Sequence, residues 1–213
     1  MNEQQFSKAI EAVKEKSPKR KFVESIDMAI NLKDVNLKDP SKRFQIDVIL
    51  PHEIEKEIKI CLFGEGSHLI EAQELKISKI IDRKELENIS RDPKLAKKIA
   101  QSYDFFISSA QLMPVIGKTL GRYLGPRGKM PRPVPPTEQL EPLVKNYSRT
   151  VKLRLRQNPV VHSRIGTINM DTQYLAENAM AVLRAVEGKL ERGASNIKSI
   201  YLKSTMGPSV KVE

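Results

Sequence analysis

Two kinds of strand are written into this chain, and they need different surroundings. Phe22, Ile26, Met28, Ile30 and Leu32 mark one apolar face of an N-terminal segment, with Ser25, Asp27 and Asn31 on the other. Phe44, Ile46, Val48 and Leu50 alternate in the same way before Pro51-His52, and the run from Thr150 to Arg156 sets Val151, Leu153 and Leu155 against Lys152, Arg154 and Arg156. Period-two alternation marks a strand with one face on a core and the other in water. The run Ile58-Lys59-Ile60-Cys61-Leu62-Phe63 is nearly continuous instead, as in a strand covered on both faces. The two ends of the chain therefore share one style and the middle has another.

Around these strands the pattern fills in. Phe6, Ile10 and Val13 predict an amphipathic helix over 3–16, ended by Ser17-Pro18 and the Lys19-Arg20-Lys21 run. The first two alternating segments, separated by the turn Asp39-Pro40-Ser41, read as an antiparallel pair. In the middle, strands are expected over 75–81 and 104–110, with helices over 83–89, 93–102 and 137–147. Strand–helix alternation of this kind implies a parallel or mixed α/β layer structure. After Thr150, residues 160–164 extend the same sheet. Asp171 then caps a long helix carrying Tyr174, Leu175, Val182, Leu183, Val186 and Leu190 and ending near Gly193, and Ile197–Lys203 form the last strand. The expected architecture is an α+β domain from residues 1–53 and 150–213, interrupted by an inserted α/β domain over 54–149.

Composition points to a polyanion. The formal net charge is +11, the electrostatic footprint of a nucleic-acid binder. It is uneven: residues 1–53 carry 10 basic and 9 acidic side chains, 54–149 carry 17 and 12, and 150–213 carry 10 and 5. Lys152, Arg154 and Arg156 repeat about every 7 Å along one strand face, close to the phosphate spacing of a nucleic-acid strand. Aromatic residues are few, with no Trp, six Phe and five Tyr, which argues against a single-strand stacking platform and for structured RNA. The N-terminal residues lack the apolar core of a signal peptide. Cys61, the one cysteine, lies in an apolar run and reads as a buried free thiol of a protein in the reducing cytoplasm.

Catalytic constellations are missing. His52, His68 and His162 are scattered; His68 and Glu71 share a helix face, but one histidine and one carboxylate make no metal site. Gly64-Glu65-Gly66 after a strand is half of a phosphate-binding fingerprint, without its third glycine and with a carboxylate in the wrong place. No catalytic residue, metal or cofactor is expected. The stretch from Gly117 to Pro136 is rich in Gly and Pro and reads as an irregular, shaped basic loop, either a phosphate clamp or a solvated surface. The chain closes on Ser204-Thr205-Met206-Gly207-Pro208-Ser209, a sharp polar turn offering hydroxyls, backbone amides and one methionine to a partner.

Three motifs carry a resemblance. Leu120-Gly121-Arg122-x-Leu124-Gly125-Pro126-Arg127-Gly128-Lys129-Met130-Pro131, Lys21-Phe22-x-Glu24-Ser25 and Ser204-Thr205-Met206-Gly207-Pro208-Ser209-Val210 resemble the large-subunit ribosomal protein L-one family, the universal stalk protein. The Arg156-Gln157-Asn158-Pro159 segment is similar to the archaeal branch. The resemblance implies a split β-α-β sheet domain formed by both chain ends and an inserted three-layer, Rossmann-like α/β domain, joined near Pro51-His52 and Thr150. It implies a monomer when free, with no membrane association, that binds a stalk helix of large-subunit rRNA, assists release of deacylated tRNA from the E site of the ribosome, and represses its own mRNA.

Carried over by position, the RNA contacts are Lys21, Phe22, Glu24 and Ser25 on the first strand, Arg154 on the returning strand, and Ser199, Thr205, Met206 and Gly207 at the end. Phe22 is equally readable as a core residue. Arg122, Arg127 and Lys129 are secondary RNA contacts on the inserted domain. Two other functions compete. One is an RNA-modifying or nucleotide-using enzyme with its site in the α/β lobe; the other is a general nucleic-acid chaperone without preference among rRNA helices.

Overall fold

A computed structural model describes residues 2–18, 20–54, 58–75, 77–135 and 138–212. Lys19, Pro136 and Thr137, which figured in the expected helix boundaries and basic loop, lie outside the described residues. The chain divides into two compact units, Met1–Lys56 with Ser148–Glu213, and Glu57–Tyr147.

Helix α1 (Glu3–Lys16) starts where Asn2 N donates to Gln5 Oε1 at 2.7 Å and buries Phe6, Ala9, Ile10 and Val13. Strand β1 (Ser25–Leu32) follows with strict alternation of burial. It begins later than the apolar pattern suggests. Its neighbours in the sheet end opposite Ser25, so residues 21–24 have no ladder to join, and Phe22 is 55% exposed. Strand β2 (Phe44–Ile49) comes next. It does not pair with β1. Both expected strands exist, but their partners come from the far end of the chain.

In the second unit, β3 (Ile60–Phe63) is buried at every position. It is followed by α2 (Ser67–Glu74), β4 (Lys79–Ile81), α3 (Arg83–Arg91), α4 (Pro93–Ser102) and β5 (Phe105–Ser109). Asp82 and Asp92 cap α3 and α4 through their side chains. The 75–81 strand is short, with only its last three residues paired. The basic loop is regular in part. It holds α5 (Met113–Thr119), α6 (Gly121–Leu124) and an edge strand β6 (Arg132–Val134), with α7 (Leu140–Tyr147) beyond it. Pro133 is tolerated because β6 lies at the edge, and the glycines fall within short helices and turns instead of breaking them.

The sheet runs β4-β3-β5-β6, all parallel. Alternate residues of β3 serve opposite faces. Cys61 and Phe63 pack with Leu86, Ala96, Ile116 and Leu124 on one side, while Ile60 and Leu62 pack with Ala72, Leu140 and Tyr147 on the other. That is a three-layer α/β unit. Each fully buried Leu, Ile or Phe in such a core contributes about 1.5–3 kcal/mol of transfer free energy.

Strand β7 (Thr150–Leu155) returns to the first unit and pairs antiparallel with β2, from Phe44↔Leu155 to Ile49↔Thr150. Strand β8 (Val160–Thr167) does not extend that ribbon; it pairs with β1. Helix α8 (Thr172–Glu187) starts after Asp171 and stops at Gly188, earlier than Leu190 suggested. The last strands are β9 (Ile197–Ser204) and β10 (Ser209–Lys211).

The main sheet has the order β10-β9-β1-β8, every neighbouring pair antiparallel. Strands β8 and β9 both oppose β1, so they run parallel to each other, linked through α8 with β1 slotted between them. This is a split β-α-β layer, formed by both chain ends. Helices α1 and α8 cover one face, where Phe6, Ile10, Leu175 and Val182 share a core with Met28 of β1 and Leu202 of β9. The other face is uncovered within this unit: Ser25, Asp27, Ala29 and Asn31 of β1 and Ser199, Tyr201 and Lys203 of β9 are all partly exposed.

Candidate nucleic-acid interface

The C-terminal turn is held rigid from below. Thr205 N donates to Ser25 O at 3.0 Å, and the Thr205 hydroxyl both donates to Ser25 O and accepts from Ser25 N, each at 3.2 Å. A side chain thus continues the β1–β9 ladder for one step past its end. Glu24 Oε1 accepts from Met206 N at 2.9 Å and lies 3.5 Å from Arg20 Nε. The Glu24 backbone carbonyl is taken by Ile168 N at 2.9 Å. Glu24 is 2% exposed, so its carboxylate faces the underside of the turn, not outward as a carboxylate reading 2′-hydroxyls or base amines must. An ion pair and a backbone donor together satisfy it at that depth.

Gly207 is required by close approach. A Cβ there would lie 2.3 Å from Ser204 Oγ and 2.9 Å from Ser17 Oγ. Those two hydroxyls are 2.8 Å apart in hydrogen-bond contact, and Ser17 Oγ donates to Val13 O at 2.6 Å. The end of α1 is thereby tied to the start of the turn. Ser17 and Ser204 were not singled out from sequence. Their signal was there: Ser204 occupies an inward position in register with Ile200 and Leu202, where a hydroxyl needs a buried partner.

Above this frame Met206 is 60%, Phe22 55% and Val23 56% exposed. Core packing of Phe22 is ruled out. Beside these residues runs a groove of about 550 Å³ lined by Lys14, Arg20, Lys21, Phe22, Val23 and Asn169, among others. Lys14 Nζ donates to Met170 O at 2.5 Å, and burial lowers its pKa against the pull of Asp171 and Glu11. The structure thus brings together Lys21, Phe22, Glu24, Ser25, Thr205, Met206 and Gly207. Ser199 stands about 20 Å further along β9, six residues at about 3.3 Å each, where it accepts from Asn31 Nδ2 at 2.9 Å. Arg154 lies on the β2–β7 ribbon, where it lines a groove of about 390 Å³ with Arg156, Gln157 and His162.

In the second unit the three basic residues of the long motif have local duties. Lys129 Nζ donates to Tyr103 O at 2.5 Å and Ala100 O at 3.3 Å, and burial lowers its pKa. Arg127 Nη1 donates to Tyr123 O at 3.0 Å, and the Arg122 guanidinium stacks 4.8 Å from the Tyr123 ring. They shape the helical turn more than they form a clamp. The Gly64-Glu65-Gly66 turn holds no anion cradle either. Glu65 lies there, 4.0 Å from Arg83, and Ser109 Oγ takes the Glu65 amide at 3.3 Å. Cys61 is fully buried, and burial pushes its thiol pKa far up, which makes it inert as a nucleophile. His52 is engaged structurally, 2.5 Å from Glu177 and stacked on Tyr174 at 4.2 Å. No group of three or more potential metal ligands occurs among the described residues.

A split antiparallel sheet built from both chain ends around a three-layer α/β insertion is the two-domain architecture of a class of ribosomal proteins. The chain belongs to the Ribosomal protein L1p/L10e family, whose model matches residues 13–208. It is similar to the large ribosomal subunit protein uL1 of Thermococcus kodakarensis, with 51% identity over 97% of each chain. It is 49% identical to uL1 of Pyrococcus horikoshii, over 97% of this chain and 95% of that one. Against uL1 of Methanopyrus kandleri the identity is 42%, over 100% of this chain and 99% of the relative. The chain is of the archaeal type and is not an enzyme.

Proposed function

We propose that this ribosomal protein binds large-subunit (23S) rRNA directly through its split-sheet unit, as part of a mobile stalk beside the E site in the large subunit of cytoplasmic ribosomes. In that position it assists release of deacylated tRNA. The same surface takes a structural mimic in its own mRNA and represses translation. The observation that carries this reading is the turn 204–207. Its backbone is locked from beneath by Thr205, Glu24 and the Ser17–Ser204 pair, while Met206 and Phe22 stay exposed on top. A protein with no ligand at that end gains nothing from exposing two large apolar side chains over a buried carboxylate. A preorganised, partly apolar and basic edge suits structured RNA, where shape, phosphates and 2′-hydroxyls are read together. No helix among the described residues is long and apolar enough to cross a membrane.

The test is a titration of the full chain with a stalk rRNA fragment and with an unrelated helix of equal length, at two salt concentrations. The expected result is a clear preference for the stalk fragment that persists at the higher salt. Equal binding to both would identify a general nucleic-acid chaperone instead. The inserted unit is assigned a secondary role. Arg122→Glu combined with Arg127→Glu is therefore expected to leave affinity for the stalk fragment within about twofold, since phosphate contacts there are few. A tenfold loss with an unchanged melting temperature would move the main site to that unit.

A further inference from the structure

Sulfur is divided sharply between the interior and the surface of this chain. Cys61 is fully buried, and so are Met28 at 1% exposure and Met170 at 6%. Met170 Sδ also accepts from Thr167 N at 3.4 Å. Met180 packs partly buried against the core of the first unit, and Met113 is half-buried at the start of α5. Among the described residues, two methionines stand well out of the surface, Met130 at 41% and Met206 at 60%.

Met206 is set apart further by what holds it. Its amide donates to Glu24 Oε1 at 2.9 Å, Thr205 N donates to Ser25 O at 3.0 Å, and Gly207 N donates to Ser204 O at 3.2 Å. These ties run through backbone and neighbouring side chains, not through the thioether. The sulfur can therefore change its chemistry while the turn keeps its shape. Oxidation of Met28 or Met170 would instead force a polar oxygen into the core, so their burial protects them for as long as the unit stays folded.

We infer that Met206 is a modification site, where a hydroperoxide oxidises the thioether to the sulfoxide ahead of the other described methionines, and that the sulfoxide lowers the affinity of the turn for RNA. With hydrogen peroxide, the sulfur attacks one peroxide oxygen, and the S–O bond forms as the O–O bond breaks. Sulfur is oxidised by two electrons, and the departing hydroxide takes the proton of the transferred oxygen and leaves as water. The product is polar where the thioether was apolar and flexible. The inference rests on the RNA-binding reading of the turn, in which Met206 supplies the apolar contact of a basic edge. The sulfoxide loses that contact and turns a partly negative oxygen towards a polyanion. Because reduction restores the thioether, the mark is a reversible, redox-sensitive control on binding that leaves the fold intact.

The test treats the full chain briefly with dilute hydrogen peroxide and follows three readouts: peptide mass spectrometry, a melting curve, and titration with the stalk rRNA fragment. Met206 is expected to gain one oxygen first and Met130 next, with Met28 and Met170 unchanged. Affinity is expected to fall about tenfold, the loss of one buried methionine contact, with the melting temperature unmoved. A methionine sulfoxide reductase is expected to restore it. Met206→Leu is compared with itself before and after peroxide and is expected to show no change, whereas Met130→Leu keeps the full loss. The inference is overturned if Met206 is not among the first methionines oxidised. It is also overturned if the Met206 sulfoxide binds the fragment within about twofold of the untreated chain, or if peroxide weakens Met206→Leu as much as the parent. These outcomes leave the stalk preference of the untreated chain in place. If the untreated chain shows no such preference, the RNA-binding reading fails and this inference fails with it.

Discussion

Gly207→Ala is expected to lower affinity for the stalk rRNA fragment at least tenfold and to destabilise the split-sheet unit by about 1–3 kcal/mol, the usual range for an overpacked site. The cause is steric, since the new methyl would lie 2.3 Å from Ser204 Oγ and 2.9 Å from Ser17 Oγ. Neither hydroxyl can yield cheaply, because they hold each other at 2.8 Å and Ser17 also holds the Val13 carbonyl. The turn must lift, and Met206 and Thr205 lift with it. Combining Gly207→Ala with Ser204→Ala removes the nearest clash and is expected to recover much of the loss. Paired melting curves and titrations of the single and double variants check this. If the single variant binds like the parent, the turn is not the recognition element.

Glu24→Ala has the second large expected effect. It leaves the Met206 amide without its acceptor and Arg20 without its carboxylate. A hydrogen bond to a charged acceptor contributes about 1.5–3 kcal/mol, so stability is expected to fall by up to that much, and RNA affinity about tenfold because the turn loses its support. Glu24→Gln separates the two duties. Its amide oxygen still accepts from Met206 N, so stability and affinity should lie between the parent and Glu24→Ala. If Glu24 instead touches RNA from the outside, Glu24→Gln and Glu24→Ala would lose affinity without losing stability.

Elements defined by local periodicity were legible in the chain. The spacing of Phe6, Ile10 and Val13 is that of α1, the alternation of Ile26 to Leu32 is that of β1, and the unbroken run to Phe63 is a strand covered on both faces. Pairing was not legible in the same way. Strands β1 and β2 follow each other in sequence, yet β1 takes β8 and β9 and β2 takes β7, because a period-two pattern names a face and not a partner. The stretch 117–136 misled through composition: glycine and proline lower helix propensity per residue, but buried Ile116, Leu120 and Leu124 draw the chain into helical turns against α3 and α4.

Of the proposed site, the sequence offered residues and not the way they are held. Thr205, Met206 and Gly207 stand at the turn, and Phe22 is exposed beside them. That Glu24 works from underneath depends on its 2% exposure, which no local pattern encodes. Ser199 and Arg154 stand away from the turn, on β9 and on the β2–β7 ribbon, a separation that only the sheet pairing reveals.

The most direct test of the central claim removes the inserted unit. Strands β2 and β7 end side by side at Ile49↔Thr150, with Leu50 N donating to Arg149 O at 2.8 Å, so a short Gly/Ser linker can replace residues 57–147 without straining the ribbon. The replaced chain and the full chain are titrated with the stalk rRNA fragment and a control helix, with circular dichroism to verify folding. The account predicts near-full affinity and undiminished preference for the stalk fragment. A folded replaced chain that no longer binds would place recognition in the middle of the sequence and contradict the role given to Thr205, Met206 and Gly207.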